Sequence, residues 1–125
     1  MARSIVVVGA CGTGKSTLVD TLRALGYNAR VVAQEHSAVH ELWAHEGWPD
    51  ALIMLDASPQ VISQRRRNEF PEWLYQQQQE RLRSAYDHAT LYLHTDDLTF
   101  DQVRQKVMEH LQALEIDPEH RPQHA

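Results

Sequence analysis

The chain has 125 residues, of which 42% are hydrophobic and 23% are charged, so its composition is that of one globular domain and not of a disordered segment. A formal net charge of -5 argues against nucleic acid or an anionic membrane as a partner. The single cysteine, Cys11, excludes an intrachain disulfide and favours a cytoplasmic location. The first apolar run, Ile5–Val8, is far too short for a signal or a membrane span.

Strands and helices alternate along the first half of the sequence. The β-branched run Ile5–Val8 is typical of a strand buried on both faces of a parallel sheet. Leucines spaced by four and three residues then predict an amphipathic helix that Gly26 ends; these are Leu18, Leu22 and Leu25. The next predicted elements are a strand at 30–33, a short helix around 39–44 and a strand at 51–55 that Asp56 closes.

The second half continues the alternation. Ser58 and Pro59 predict a helix start, and a longer helix after Pro71 is expected to present one face made of Tyr75, Leu82, Tyr86 and Ala89. The glutamines at 76–79 are expected on its solvated face. A fourth strand is predicted at 91–93, and a capping box at 99–102 opens a last helix built on Val103, Val107, Leu111 and Leu114. We expect one domain at 1–115 and a frayed tail at 116–125.

This alternation predicts an α/β fold with three layers around a parallel sheet of about four strands. The interval 27–50 leaves room for only one strand, and a strand that ends in a catalytic acid should neighbour the first strand. The expected strand order is therefore 2-1-3-4, with Ile5–Val8 in the centre.

One segment carries the chemistry. It matches G-x-x-x-x-G-K-[ST] at every fixed position and reads Gly9, Ala10, Cys11, Gly12, Thr13, Gly14, Lys15, Ser16. Glycines let backbone amides approach phosphate oxygens, and the following helix directs its N-terminal amides at the same anion. Lys15, as an exposed charge, is expected to reach the β- and γ-phosphates, and the Ser16 hydroxyl to bind Mg²⁺. The motif predicts Mg-ATP binding.

Two carboxylates compete for the place near Mg²⁺. Asp56 follows an apolar strand, as in a Walker B motif, and Glu35 follows the second strand. Both positions are strand ends, where functional and merely solvated acids occur about equally. Asp56 is followed at once by Ala57, Ser58 and Pro59, and Ser58 is expected to cap the next helix, so the Asp56 side chain is expected to be used in that turn. We therefore favour Glu35 as the metal ligand or catalytic base.

Charged and metal-binding residue types cluster at two further places. Arg65, Arg66 and Arg67 form a basic patch that either stabilises a transferring phosphoryl group or is a solvated helix face. His36, His40 and His45 lie in one segment, but without a nearby cysteine pair their spacing favours ordinary polar positions over a metal site.

The sequence resembles the small P-loop kinases of metabolites and nucleosides, such as the shikimate, gluconate, adenylylsulfate and nucleotide kinases. The resemblance covers Gly9–Thr17, then 55–59 with the arginines at 65–67, then 80–83 with 91–97. It implies the three-layer P-loop NTPase fold, ATP and Mg²⁺ as cofactors, and an arginine-bearing lid to which Arg81 or Arg83 adds a charge. It also implies an adenine-binding loop that includes Asp96. In such kinases the acid of the lid strand is not usually the magnesium residue, which again favours Glu35.

Two functions remain open at this level. The first is a minimal kinase that transfers the γ-phosphoryl group of ATP to a small-molecule acceptor. The second is a nucleotide-binding switch or slow NTPase without an acceptor site, because the interval 27–50 is shorter than in the kinases it resembles. ATP is expected in preference to GTP, since no N/T-K-x-D guanine motif occurs in the sequence.

Overall fold

The computed structural model describes residues 3–119, and its centre is a four-stranded parallel sheet. The strand order is β2-β1-β3-β4, which confirms the predicted topology. The bounds of the strands are Ser4–Gly9 (β1), Asn28–Val31 (β2), Ala51–Asp56 (β3) and Leu91–His94 (β4). Because β1 lies between β2 and β3, the chain segments that follow all three strands meet at one edge of the sheet.

Helices cover both faces of this sheet. Their bounds are Lys15–Ala24 (α1), Pro59–Arg66 (α2), Glu72–Arg81 (α3), Arg83–His88 (α4) and Phe100–Ala113 (α5). Two 3₁₀ turns, Gln34–His36 and Leu42–Ala44, connect β2 to β3. The predicted caps are present: Ser58 accepts a hydrogen bond from the Val61 amide, and Thr99 forms a capping box with Gln102.

Alternate residues of the strands build two cores, one on each face of the sheet. Ile5, Val7 and Ile53 face α1 and α5. Val6, Val8 and Met54 face the opposite side, where they pack with buried residues that include Trp43, Ile62 and Leu82. Apolar residues on both faces explain why these strands read as continuous hydrophobic runs rather than as an alternating pattern.

Two sequence-based expectations about the elements are wrong. The second strand was expected at 30–33 and spans 28–31, because it starts directly after the Gly26 turn and the chain then leaves the sheet for the first 3₁₀ turn. The expected single long helix breaks at Leu82 into α3 and α4. This break leaves Tyr86 56% exposed instead of on a buried face.

The ordered domain extends beyond the predicted boundary at residue 115. Ile116 is buried in the core beside α5, and the Glu119 amide donates a hydrogen bond to the Gly26 carbonyl. The remainder of the predicted tail, 120–125, lies outside the described residues. Between residues 3 and 119, no helix is both long and apolar enough to cross a membrane.

Candidate functional site

The glycine-rich loop (Gly9–Ser16) connects the central strand β1 to α1 and lies at the edge where the strands end. Gly9, Gly12 and Gly14 all have positive φ angles, of 155°, 73° and 89°. A Cβ atom at Gly9 would overlap the Leu55 carbonyl of β3, so this position accepts only glycine. Gly14 directly precedes α1, whose first amides therefore face the inside of the loop.

Lys15 is folded beneath this loop. Its Nζ donates hydrogen bonds to the carbonyls of Gly9 at 2.8 Å and Ala10 at 2.9 Å, and it forms an ion pair with Glu35 Oε2 at 2.8 Å. The side chain is only 9% exposed, which corrects the expectation of an exposed charge. A buried ammonium needs such partners, because an unpaired charge in the interior is expensive.

Glu35 lies on the first 3₁₀ turn and is 4% exposed. One of its oxygens, Oε2, binds Lys15, whereas the other, Oε1, is buried without a hydrogen-bond partner among the described residues. Buried polar atoms are nearly always paired, so an unpaired carboxylate oxygen at a strand end indicates a position prepared for a further donor or cation. The metal residue favoured from the sequence thus lies in contact with the lysine of the glycine-rich loop.

Cys11 contacts two residues far away in the sequence. The Gln78 side chain of α3 accepts a hydrogen bond from the Cys11 amide at 3.1 Å and donates one to Sγ at 3.2 Å. Cys11 Sγ also lies 3.5 Å from His36 Nε2, which is 3.8 Å from Glu35 Oε2. Gln78 is 1% exposed, so the expectation of a solvated glutamine run is wrong at this position.

Asp56, the rival acid, is surrounded by donors. It is 5% exposed, and Oδ1 accepts hydrogen bonds from the Ala57 amide, the Tyr75 hydroxyl and the Gln79 amide group. Oδ2 accepts a bond of 2.7 Å from the Tyr92 hydroxyl. Both oxygens are therefore occupied, and the carboxylate joins β3, α3 and β4.

The tyrosines of this cluster stay protonated over a wide pH range. Burial, together with the negative charge of Asp56 and the hydrogen bond to it, raises the pKa values of Tyr75 and Tyr92 well above the ordinary 10.0. A phenolate beside a carboxylate would be a repulsive pair. Asp56 thus acts as an acceptor for neutral hydroxyl groups.

Arg65 lies beside the glycine-rich loop on the side of β4. Its guanidinium donates to the hydroxyl and the carbonyl of Thr95, at 3.0 and 2.8 Å, and lies 3.5 Å from the Gly12 carbonyl. Asp96 follows Thr95 and accepts a bond from the Ser58 amide. Burial favours a higher pKa for Asp96, but the Ser58 hydrogen bonds and the nearby His94 and Arg65 outweigh it and lower the pKa below 3.8.

The other predicted arginines take different positions. The aliphatic part of the Arg66 side chain packs against Gly12. Its guanidinium lies over the ring of Phe70, 5.5 Å from the ring centroid. Arg67 ends α2 in the left-handed conformation and is exposed. Arg81 approaches the Glu35 carbonyl at 3.5 Å, and Arg83 lines a separate open groove with Trp73 and Tyr86.

The hydroxyl residues of the loop divide into two types. Thr13 is buried and donates to the Ala10 carbonyl, which supports the loop from within. Ser16 and Thr17 are exposed on the first turn of α1, and neither hydroxyl forms a hydrogen bond within residues 3–119. Ser16 therefore presents a free hydroxyl beside Lys15, as a magnesium ligand requires.

One cavity borders the glycine-rich loop, and a second lies between α3 and the segment that follows β2. The first, of about 230 Å³, is lined by residues 12–14, by Arg65 and Thr95, and by apolar residues that include Leu98, Phe100 and Val103. The second, of about 260 Å³, is lined by Ser37, Ala38, His40, Gln77, Glu80 and Arg81. Most side chains that line the second cavity are polar or charged, whereas several that line the first are apolar.

Several residues of this site carry no signal in the sequence. Four of its side chains hydrogen-bond to Cys11 or Asp56, from which they are 19 to 67 residues away in the sequence; these are Gln78, Tyr75, Tyr92 and Thr95. None belongs to a motif, and only the packing of α3 and β4 against β3 brings them in.

No protein-family model matches the sequence, and neither does any curated protein.

Proposed function

We propose that this protein is a small ATP-dependent phosphotransferase that uses the glycine-rich loop to bind the phosphates of Mg-ATP. The observation that carries the proposal is the pair of Lys15 and Glu35 beneath the loop, with Glu35 Oε1 unpaired and the Ser16 hydroxyl free. Positive-φ glycines, a helix N-terminus and a buried cation together favour an anion at this point.

The nucleotide would occupy the cavity on the β4 side of the loop. Leu98, Phe100 and Val103 offer an apolar surface for a base, while Arg65 and the amides of residues 12–14 lie on the side of the phosphates. Asp96 supports this cavity indirectly, because it fixes the start of α2, the helix that carries Arg65. Arg65 itself is held on Thr95 and is already close to the loop.

The residues present fit a magnesium ion. Ser16 supplies a neutral oxygen and Glu35 an anionic one, and hard oxygen ligands are those that Mg²⁺ prefers. When bound, Mg-ATP would supply the γ-phosphoryl group and part of the neutralising charge. Lys15 would exchange its contact with Glu35 for the phosphates, while its loop carbonyls keep it in place.

The second cavity supports an acceptor site despite the short interval between β2 and β3. Arg81, which lies 3.5 Å from the backbone carbonyl of Glu35, offers a positive charge in this cavity, while Ser37 and Gln77 offer hydrogen-bonding groups. These groups suit a small acceptor that has a hydroxyl and an anionic substituent. Glu35 would accept the proton of that hydroxyl as the phosphoryl group is transferred.

A screen for phosphoryl transfer from γ-labelled ATP tests this function. Small hydroxylated and phosphorylated metabolites are offered one by one, and hydrolysis of ATP without acceptor is the background. We expect slow hydrolysis alone and strong acceleration by particular acceptors, because a closed site excludes water until the acceptor is bound. If ATP binds but no acceptor accelerates turnover, a nucleotide-dependent switch replaces the kinase proposal.

A further inference from the structure

Three potential metal ligands of different chemistry meet beside the glycine-rich loop. Cys11 Sγ, His36 Nε2 and a Glu35 carboxylate oxygen all lie within 4.8 Å of one another. We propose that these three residues form a binding site for Zn²⁺. The site shares Glu35 with the proposed magnesium position, so Zn²⁺ and Mg-ATP would compete for that carboxylate, and zinc binding is tested without nucleotide.

The distances agree with tetrahedral coordination. With bonds of about 2.3 Å to sulfur and about 2.0 Å to nitrogen and oxygen, ligand atoms at a tetrahedral angle lie roughly 3.5 Å apart for sulfur and nitrogen, and roughly 3.3 Å apart for nitrogen and oxygen. The distance from Cys11 Sγ to His36 Nε2 is 3.5 Å, and that from His36 Nε2 to Glu35 Oε2 is 3.8 Å. One ion can therefore contact all three side chains after only small rotations.

The free oxygen of Glu35 supplies a second and independent argument. Oε1 is buried with no hydrogen-bond partner in residues 3–119, while Oε2 is held by Lys15. The oxygen that lies 3.8 Å from His36 is Oε2, which Lys15 holds, so the carboxylate must rotate to give one oxygen to Lys15 and the other to a metal ion. The ammonium of Lys15 retains the carbonyls of Gly9 and Ala10, so it stays hydrogen-bonded if the carboxylate turns toward the metal.

The chemistry of the three ligands favours a particular ion, and the exposure of His36 gives that ion access to the site. A thiolate, an imidazole and a carboxylate together favour Zn²⁺ over Mg²⁺ or Ca²⁺, which prefer oxygen ligands alone. Gln78 orients Cys11 through its amide and its sulfur, as outer-shell partners of metal ligands do. His36 is exposed, which gives an ion a route of entry and leaves a fourth position for water.

Calorimetric titration of the nucleotide-free protein with Zn²⁺ tests the site. We expect one ion per chain, and at least about tenfold weaker binding in Cys11→Ala and in His36→Ala. The matched control is His40→Ala, an exposed histidine of the same segment that should leave affinity unchanged. Binding should strengthen as the pH rises, because the Cys11 thiol releases its proton to the solvent when it binds the ion.

Absorption spectra with Co²⁺ in place of Zn²⁺ identify the ligands directly. We expect a thiolate-to-cobalt charge-transfer band that Cys11→Ala abolishes and His40→Ala preserves. The proposal is overturned if the band is absent in the wild type, or if His36→Ala binds Zn²⁺ as well as the wild type does. Since His36 is exposed, that variant should fold even if substitution of Cys11 disturbs the loop. No nucleotide is present, so the outcome does not depend on the proposed kinase function.

Discussion

Two acids near the ends of the strands on either side of β1 have opposite surroundings in this protein. Asp56, the last residue of β3, receives hydrogen bonds on both oxygens from a backbone amide, a glutamine and two tyrosines. Glu35, after β2, has one oxygen on Lys15 and the other unpaired. Both are about equally buried, so burial alone does not distinguish them.

The difference separates a structural acid from a reactive one. A carboxylate whose lone pairs are filled by fixed donors stabilises the elements that carry those donors, and it has no capacity left for a ligand. A carboxylate with an empty oxygen beside a lysine can bind a cation or accept a proton without breaking the fold. The pairing pattern therefore favours a structural role for Asp56 and supports the proposed chemical role of Glu35.

The largest expected effect is on turnover in Glu35→Gln. The substitution keeps the shape of the side chain but removes the charge that holds a cation or accepts a proton, so turnover should fall about 10²- to 10⁴-fold. The control is Asp56→Asn, whose folded fraction should retain nearly normal turnover. If Asp56→Asn abolishes turnover in a well-folded protein and Glu35→Gln does not, the two roles are reversed.

The complementary effect is on stability in Asp56→Asn. The amide group can accept from fewer of the four donors around it, and we expect a loss of about 1–3 kcal/mol in the free energy of unfolding. Urea denaturation followed by circular dichroism measures it. Gln79→Ala, which removes one of these donors and keeps the carboxylate, is the comparison and should cost less. A loss in Asp56→Asn no larger than that in Gln79→Ala would contradict the structural role of Asp56.

A smaller kinetic effect is expected in Arg65→Gln. Loss of the charged hydrogen bonds to Thr95 and of the positive charge beside Gly12 should lower kcat/KM for ATP about tenfold. Arg67→Gln is the matched control, since Arg67 is two residues away on the same helix end and exposed. Identical steady-state kinetics for both variants would indicate that the arginine patch is only a solvated face.

The smallest effect concerns Tyr92→Phe, which removes one donor from Asp56 and should cost about 1 kcal/mol. The pKa of Tyr92 is raised in the folded protein, so above pH 10 unfolding releases a proton from this tyrosine. The free energy of unfolding of the wild type should therefore fall as the pH rises from 10 toward the raised pKa. The fall should be less steep in Tyr92→Phe. Tyr86→Phe, which removes the hydroxyl of the exposed tyrosine beside Tyr92, should change the pH dependence less than Tyr92→Phe does.

Much of the fold follows from local patterns in the sequence. The apolar runs, the cap at Ser58 and the capping box at Thr99 each depend on residues that are neighbours in the chain, and the structure confirms all of them. The strand order followed from the short interval before β3, which leaves room for one strand only. The break at Leu82 was missed because the apolar spacing continues through it.

The site was less predictable because its contacts are long-range. The loop motif and Glu35 could be read from the sequence, but the burial of Lys15 depends on where the first 3₁₀ turn places Glu35. The histidine segment was judged unsuitable for a metal because no cysteine is near it in the chain, whereas the fold brings Cys11 to His36. Sequence spacing cannot reveal such a pair, since the two residues lie in different loops.

Calorimetric titration with Mg-ATP tests the central claim most directly. Replacing Lys15 alone would leave Glu35 as a buried unpaired charge, at a cost of about 3–5 kcal/mol, so the decisive variant is Lys15→Met in a Glu35→Gln background. Its controls are Glu35→Gln alone and Lys106→Met, which changes the only other lysine of the sequence. We predict that the wild type and Lys106→Met bind Mg-ATP equally and that the double variant binds at least about tenfold more weakly than Glu35→Gln. Equal affinity of the double variant and Glu35→Gln, or no binding by the wild type, would contradict the proposed role of the glycine-rich loop.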